Sequence, residues 1–132
     1  MAETPLYIVL CSGEHEKVQM AAMMAAIGAV SERPVAVFVS MNAILAFARD
    51  ASDDERYRGG AFSDLMKAKR APDALNLFRQ GKELGDLKMW ACSMALDVQG
   101  WSLDQLVAGL FDGPLGLTSF LSDAQAGQLV TL

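Results

Sequence analysis

Three short apolar runs, each halted by small or polar residues, set the terms on which this chain can fold. Leu6-Tyr7-Ile8-Val9-Leu10-Cys11 stops at Ser12-Gly13. Pro34-Val35-Ala36-Val37-Phe38-Val39-Ser40 stops at Met41-Asn42, and Leu87-Lys88-Met89-Trp90-Ala91-Cys92 stops at Ser93-Met94. Nearly continuous apolar runs of this length read as strands covered on both faces, as in a parallel sheet. Pro34 is tolerable as a first strand residue because it interrupts no interior ladder.

Helical signals fill the gaps. Glu14-His15-Glu16 opens a helix that runs to about Val30, with acidic groups at its positive end and Ser12 as N-cap. Its positions from Met20 to Val30 are apolar nearly all round, so two sides are expected to be buried. One side fits the sheet and the other a neighbouring subunit. Met20, Met23 and Met24 share a face, which fits core or subunit packing. Met41 to Ala48 reads as a further helix and completes a right-handed βαβ unit.

Arg49 to Arg70 is charged and turn-prone, which predicts a surface loop or lid anchored at its far end by Phe62, Leu65 and Met66. Pro72 suits the first turn of a helix reaching about Leu84, with Leu75, Phe78 and Leu84 inward and Gly85 as the stop. Gly100-Trp101 ends a short helix after Cys92. Ser102-Leu103-Asp104-Gln105 has the capping-box pattern and predicts a helix to about Ala108. Asp112 to Gly116 reads as a loop. Thr118 or Ser119 caps a helix over Phe120 to Ala126, and Gln128 to Leu132 is a last strand near the sheet edge. Alternation of this kind predicts one α/β domain over residues 1–132 with a mostly parallel sheet.

Composition narrows the function classes. The 132 residues are 52% hydrophobic, rich enough to suggest apolar surface buried between subunits. A net charge of −5 argues against nucleic acid and against an anionic membrane surface as partners. Met1-Ala2-Glu3-Thr4-Pro5 lacks the basic start of a secretory signal, and Met20–Val30 falls short of the ~20 residues a membrane span needs. Two cysteines without a disulfide framework fit a reducing cytoplasm.

In a parallel sheet the strands' carboxyl ends share one rim, where open α/β proteins bind ligands. That rim gathers Cys11, Cys92 and the sole histidine, His15. Cys92 reads either as a buried small hydrophobe or as a nucleophilic thiol, since free N–H groups after a strand favour thiolate over thiol. Cys11 sits deeper in its run and reads as a neighbour or an occasional disulfide partner. His15 reads as a general base or as a solvated first-turn residue. Ser93 and Asn42 complete the candidate auxiliaries. No zinc spacing, GxGxxG, P-loop, GxSxG or HExxH pattern occurs, so neither a metal nor a cofactor is expected.

Leu6–Cys11, the Met20–Val30 helix with its Ala-Ile-Gly-Ala, Val35–Val39, Met89-Trp90-Ala91-Cys92-Ser93-Met94-Ala95-Leu96-Asp97 and Gly116–Leu121 together resemble the DsrE/DsrF-like sulfur-relay proteins. The likeness is greatest to the branch labelled peroxiredoxin-like, and Cys-Ser-Met-x-x-Asp is its sharpest piece. The resemblance implies a three-layer α/β/α domain with about five strands, assembled as a homotrimer or hexamer. It implies a cytoplasmic sulfurtransferase that holds sulfane sulfur as a persulfide on Cys92. Its implied partners are TusA-like or rhodanese-like sulfur-transfer proteins, with sulfur oxidation as the setting. It assigns no role to Cys11 or His15. Two other readings stand beside it. One is a non-catalytic small-ligand or regulatory oligomer. The other is a thiol peroxidase, which lacks the usual Thr-x-x-Cys arrangement here.

Overall fold

A computed structural model describes residues 3–132. The acidic start, read above as lacking a leader, lies partly outside them, because Met1 and Ala2 are not described. Five strands form one sheet: β1 Leu6–Leu10, β2 Val35–Val39, β3 Leu87–Cys92, β4 Gly113–Leu115 and β5 Gln128–Thr131. All neighbours are parallel, in the order β4-β3-β2-β1-β5. The helices are α1 His15–Val30, α2 Asp53–Arg56, α3 Ala61–Ala68, α4 Ala74–Leu84, α5 Ser93–Gln99 and α6 Leu117–Ala124.

Strand alternation divides the core in two. Leu6, Ile8, Leu10, Val35, Val37, Val39, Leu87, Met89 and Ala91 face one way. They pack against Val18, Ala21, Ala22, Ala25 and Ala29 of α1 and Ala74, Leu75 and Phe78 of α4. Leu106, Val107 and Leu110, from the connection after α5, extend the same layer. Val9, Phe38 and Cys92 face the other way and meet Phe120 of α6 and Ala95 of α5. The result is a three-layer α/β/α fold with an all-parallel sheet and a thin second helical layer.

The second buried side of α1 belongs to α4 of the same chain, because the small residues of α1 let the two helices approach closely. Its Met20, Met23, Ile27 and Val30 remain exposed.

Several local expectations are corrected. Ser12 accepts a hydrogen bond from the Glu14 N–H at 3.1 Å, a turn contact; the N-cap is Glu14, which makes no side-chain cap. Met41–Phe47 is a 3-10 segment. The 49–70 stretch is not a loop but contains α2 and α3. Its anchors are polar: Arg56, Tyr57 and Ser63 are buried, whereas Phe62 and Leu65 are exposed. Asp73 caps α4 by accepting the Asn76 N–H, so Pro72 lies outside the helix, and Leu84 points to solvent.

The capping box at Ser102 forms, yet only one 3-10 turn follows. The Val107 N–H bonds the Phe47 carbonyl instead, and the chain is already extended at Leu106. Gly113-Pro114-Leu115 is a strand rather than part of a loop, because at a sheet edge a proline costs no interior bond. Helix α6 starts at Leu117 after Gly116, leaving Thr118 and Ser119 inside it.

Candidate functional site

The register fixes the rim. Leu10 pairs with Val39, and Val39 with Ala91. One residue further on, Cys11, Ser40 and Cys92 stand in a row across three strands. Cys11 and Cys92 therefore lie two strand spacings apart, about 9–10 Å between Cα atoms. A disulfide needs about 7 Å or less, so the occasional pairing expected of them cannot form within the chain without backbone movement. Both thiols are free.

Cys92 is the last residue of β3 and directly precedes α5. Its side chain is 4% exposed and packs among Val9, Phe38, Ala95 and Phe120. Cys11 is half-buried against the same cluster. Ser93 donates its hydroxyl to the Leu115 carbonyl at 3.3 Å, which ties the start of α5 to β4. Asn42 is exposed on the rim, its backbone pressed against Gly13.

An apolar groove of about 400 Å³ runs between the Met41–Phe47 segment and α5. Met41, Leu45, Met94 and Val98 line it and are exposed. Ala95 belongs both to this groove and to the cluster around Cys92. Cys92 itself does not line the groove. Met41 sits at φ +53°, a left-handed conformation uncommon outside glycine, at the bend where β2 turns into the rim. Sequence reasoning missed these groove residues. The available signal was a repeated pair, since Ser-Met follows both Val39 and Cys92.

His15 does not join the cysteines. It is buried at the start of α1 in the larger core layer, with Nδ1 2.6 Å from the Ser63 hydroxyl. Its ring stacks on Tyr57, centroids 4.6 Å apart. Burial, and then the charge of Lys67, lowers its pKa below the ordinary imidazole value. Burial also holds the Tyr57 phenol well above its usual range, so the hydroxyl stays protonated while accepting the Leu75 N–H at 3.2 Å. His15, Tyr57, Lys67, Arg70 and Asp73 line a separate polar cleft of about 290 Å³. His15 is thus a tie between α1 and α3 rather than a base for Cys92.

Among the described residues, no three His, Cys, Asp or Glu side chains are grouped to hold a metal ion. Nor is any helix among them long and apolar enough to cross a membrane.

No family model matches this chain, and no curated protein matches it either. A solved structure does: the protein of unknown function MTH1491 from Methanobacterium thermoautotrophicum. It superposes with a TM-score of 0.66 at 13% identity, over 98% of this chain and 100% of that one. At that identity the likeness shows a shared three-layer α/β/α fold.

Proposed function

We propose that this protein is a cytoplasmic sulfur carrier that holds sulfane sulfur on Cys92 and hands it to a small TusA-like or rhodanese-like partner. The observation that supports this reading is the position of Cys92, at a strand's carboxyl end and in a cluster that shares Ala95 with an apolar rim groove. The chemistry needs no acid/base dyad. The Cys92 thiolate attacks the outer sulfur of a polysulfide or thiosulfate, and an S–S bond breaks. The shortened polysulfide, or sulfite, leaves with the bonding electron pair. The partner's thiolate then attacks the outer sulfur of the Cys92 persulfide and restores the Cys92 thiolate. In this reading access to the buried thiol runs through the groove, whose Met41 and Met94 are flexible enough to move aside and, on closing again, to shelter the persulfide from oxidation. The protein acts in this reading as a homo-oligomer.

A second reading is a small-ligand or regulatory module with an inert thiol. The burial of Cys92 and the separate polar cleft beside His15 favour it.

Intact mass spectrometry after incubation with polysulfide or thiosulfate separates the two. The carrier reading expects an adduct of one sulfur atom on the wild type and on Cys11→Ser, but none on Cys92→Ser. A wild type that stays unmodified points to the second reading. Sulfenic acid on Cys92 with rapid peroxide turnover would point instead to a thiol peroxidase.

A further inference from the structure

Helix α3 takes its N-terminal cap from another helix. Its own N-cap is Gly60, which has no side chain to satisfy the first N–H groups. Glu16 of α1 does so from outside: its Oε2 accepts the Gly60 N–H at 2.9 Å and the Ser63 N–H at 3.1 Å. His15, the residue before it, adds the 2.6 Å contact between Nδ1 and the Ser63 hydroxyl. Gly59 suits this grip, because any side chain there would collide with the Glu16 carboxylate.

Apolar burial contributes little. Ser63 is the one buried residue of α3, while Phe62 is 63% and Leu65 52% exposed. Lys67 comes no nearer to Asp54 than 3.9 Å, and Asp54 is exposed, so that pair is weak. A helix of eight residues is not stable by itself in water. The order of α3 therefore depends on two adjacent side chains of α1.

Two anchors on α1 bound the segment held in this way. Before it, the His15 N–H bonds the Arg58 carbonyl at 2.8 Å. After it, Gln19 Nε2 donates to the Pro72 carbonyl at 2.9 Å. Between the anchors, Gly59-Gly60 precedes α3 and Arg70, at φ +55°, follows it. Met66, Lys67 and Arg70 from this stretch wall the polar cleft whose other side carries His15, Gln19 and Tyr57.

We propose that residues 59–71 form a lid over the polar cleft, latched by His15 and Glu16 and released by acid while the sheet stays folded. Linkage sets the direction. His15 faces Glu16 and Gln19 on α1, Ser63 and Lys67 on the lid, Tyr57 stacked on its ring and Asp73 ahead of α4. Asp53, Asp54 and Arg70 complete the charged lining of the cleft. Burial and Lys67 prevail over the carboxylates of Glu16 and Asp73, so the closed lid disfavours a proton on His15. An open lid returns the ring to water, so a fall in pH shifts the population toward the open form. Neutralising Glu16 at lower pH removes the cap itself. The lid is independent of the chemistry of Cys92.

Hydrogen exchange read by mass spectrometry on the full chain, from pH 7 to 5 and corrected for the intrinsic pH dependence of exchange, tests this. Residues 64–69 are expected to exchange faster than β1, β2 and β3 at pH 7, and the gap to widen toward pH 5. Glu16→Ala should speed exchange in α3 about fivefold or more at pH 7 and leave the strands unchanged. His15→Asn should abolish the widening. A common rate for α3 and the strands, a gap equal at pH 7 and 5, a widening that persists in His15→Asn, or a folded Glu16→Ala with unchanged exchange in α3 overturns the proposal. If Glu16→Ala misfolds, the pH series on the wild type decides alone.

Discussion

Arg56 carries its charge into the protein with no carboxylate paired to it among the described residues. Its guanidinium donates to three carbonyls instead: Ala46 at 2.7 Å, Ala48 at 2.9 Å and Ala51 at 3.0 Å. These oxygens gather at the negative end of the Met41–Phe47 segment, so the helix end supplies what an acid would otherwise supply. Arg56→Met strands the carbonyls and is expected to cost about 2–4 kcal/mol in urea denaturation. Arg56→Lys recovers only part of this, because a single ammonium cannot reproduce the planar fork. His15 makes stability depend on pH. Its folded pKa is lowered, so the unfolded chain binds the proton first and stability is lost as pH falls below the ordinary imidazole value. Glu16 acts in the same direction at lower pH. Its own N–H, then those of Ser63 and Gly60, hold its carboxylate below the usual range. Urea midpoints should therefore decline from pH 7 toward 5 in the wild type and decline less in His15→Asn. The two thiols should also separate kinetically. Maleimide alkylation followed by intact mass is expected to modify half-buried Cys11 before Cys92 in the native protein, and both equally in urea.

Helix α4 ends where it does because Gly85 passes hard against the end of α1. A Cβ built on Gly85 would lie 2.2 Å from the Ala29 carbonyl oxygen. Gly85→Ala must push two helices apart and is expected to cost about 1–3 kcal/mol or more, read as a fall in melting temperature. Gly100 closes α5 for a different reason. It has open space around it but sits at φ +70°, so Gly100→Ala costs only the left-handed penalty, about 1–2 kcal/mol. Both stops were legible in the sequence, as were β1, β2, β3 and β5, because continuous apolar runs bounded by glycine or turn residues have few other uses. β4 was not legible, since Gly-Pro-Leu carries a strand signal only once its place at the sheet edge is known. The anchoring of 49–70 was hidden because arginine, tyrosine and serine hold it, and hydropathy discounts those residues. At the rim, the placement of Cys11 and Cys92 followed from strand ends alone. The grouping of Met41, Leu45, Met94 and Val98 did not, because it depends on β2 and β3 being neighbours.

The molecule as a whole is lopsided. One face of its sheet carries α1, α4 and the connection after α5, while the other carries α6 and α5's Ala95, leaving Tyr7, Ala36 and Trp90 only partly covered. Its strand order also joins the two ends of the sequence. β5 pairs along β1, and at its end the Cys11 N–H bonds the Leu132 carbonyl while the Leu132 N–H bonds that of Val9. Deleting residues 128–132 should therefore drive the protein from the soluble to the pelleted fraction on expression, because it bares an apolar edge beside the center of the sheet. The same pairing sets a timetable for synthesis. β1 leaves the ribosome before β2, β3 and β4 and must wait with one flank unsatisfied until β5 has been made, so the nascent domain stays sticky throughout that interval.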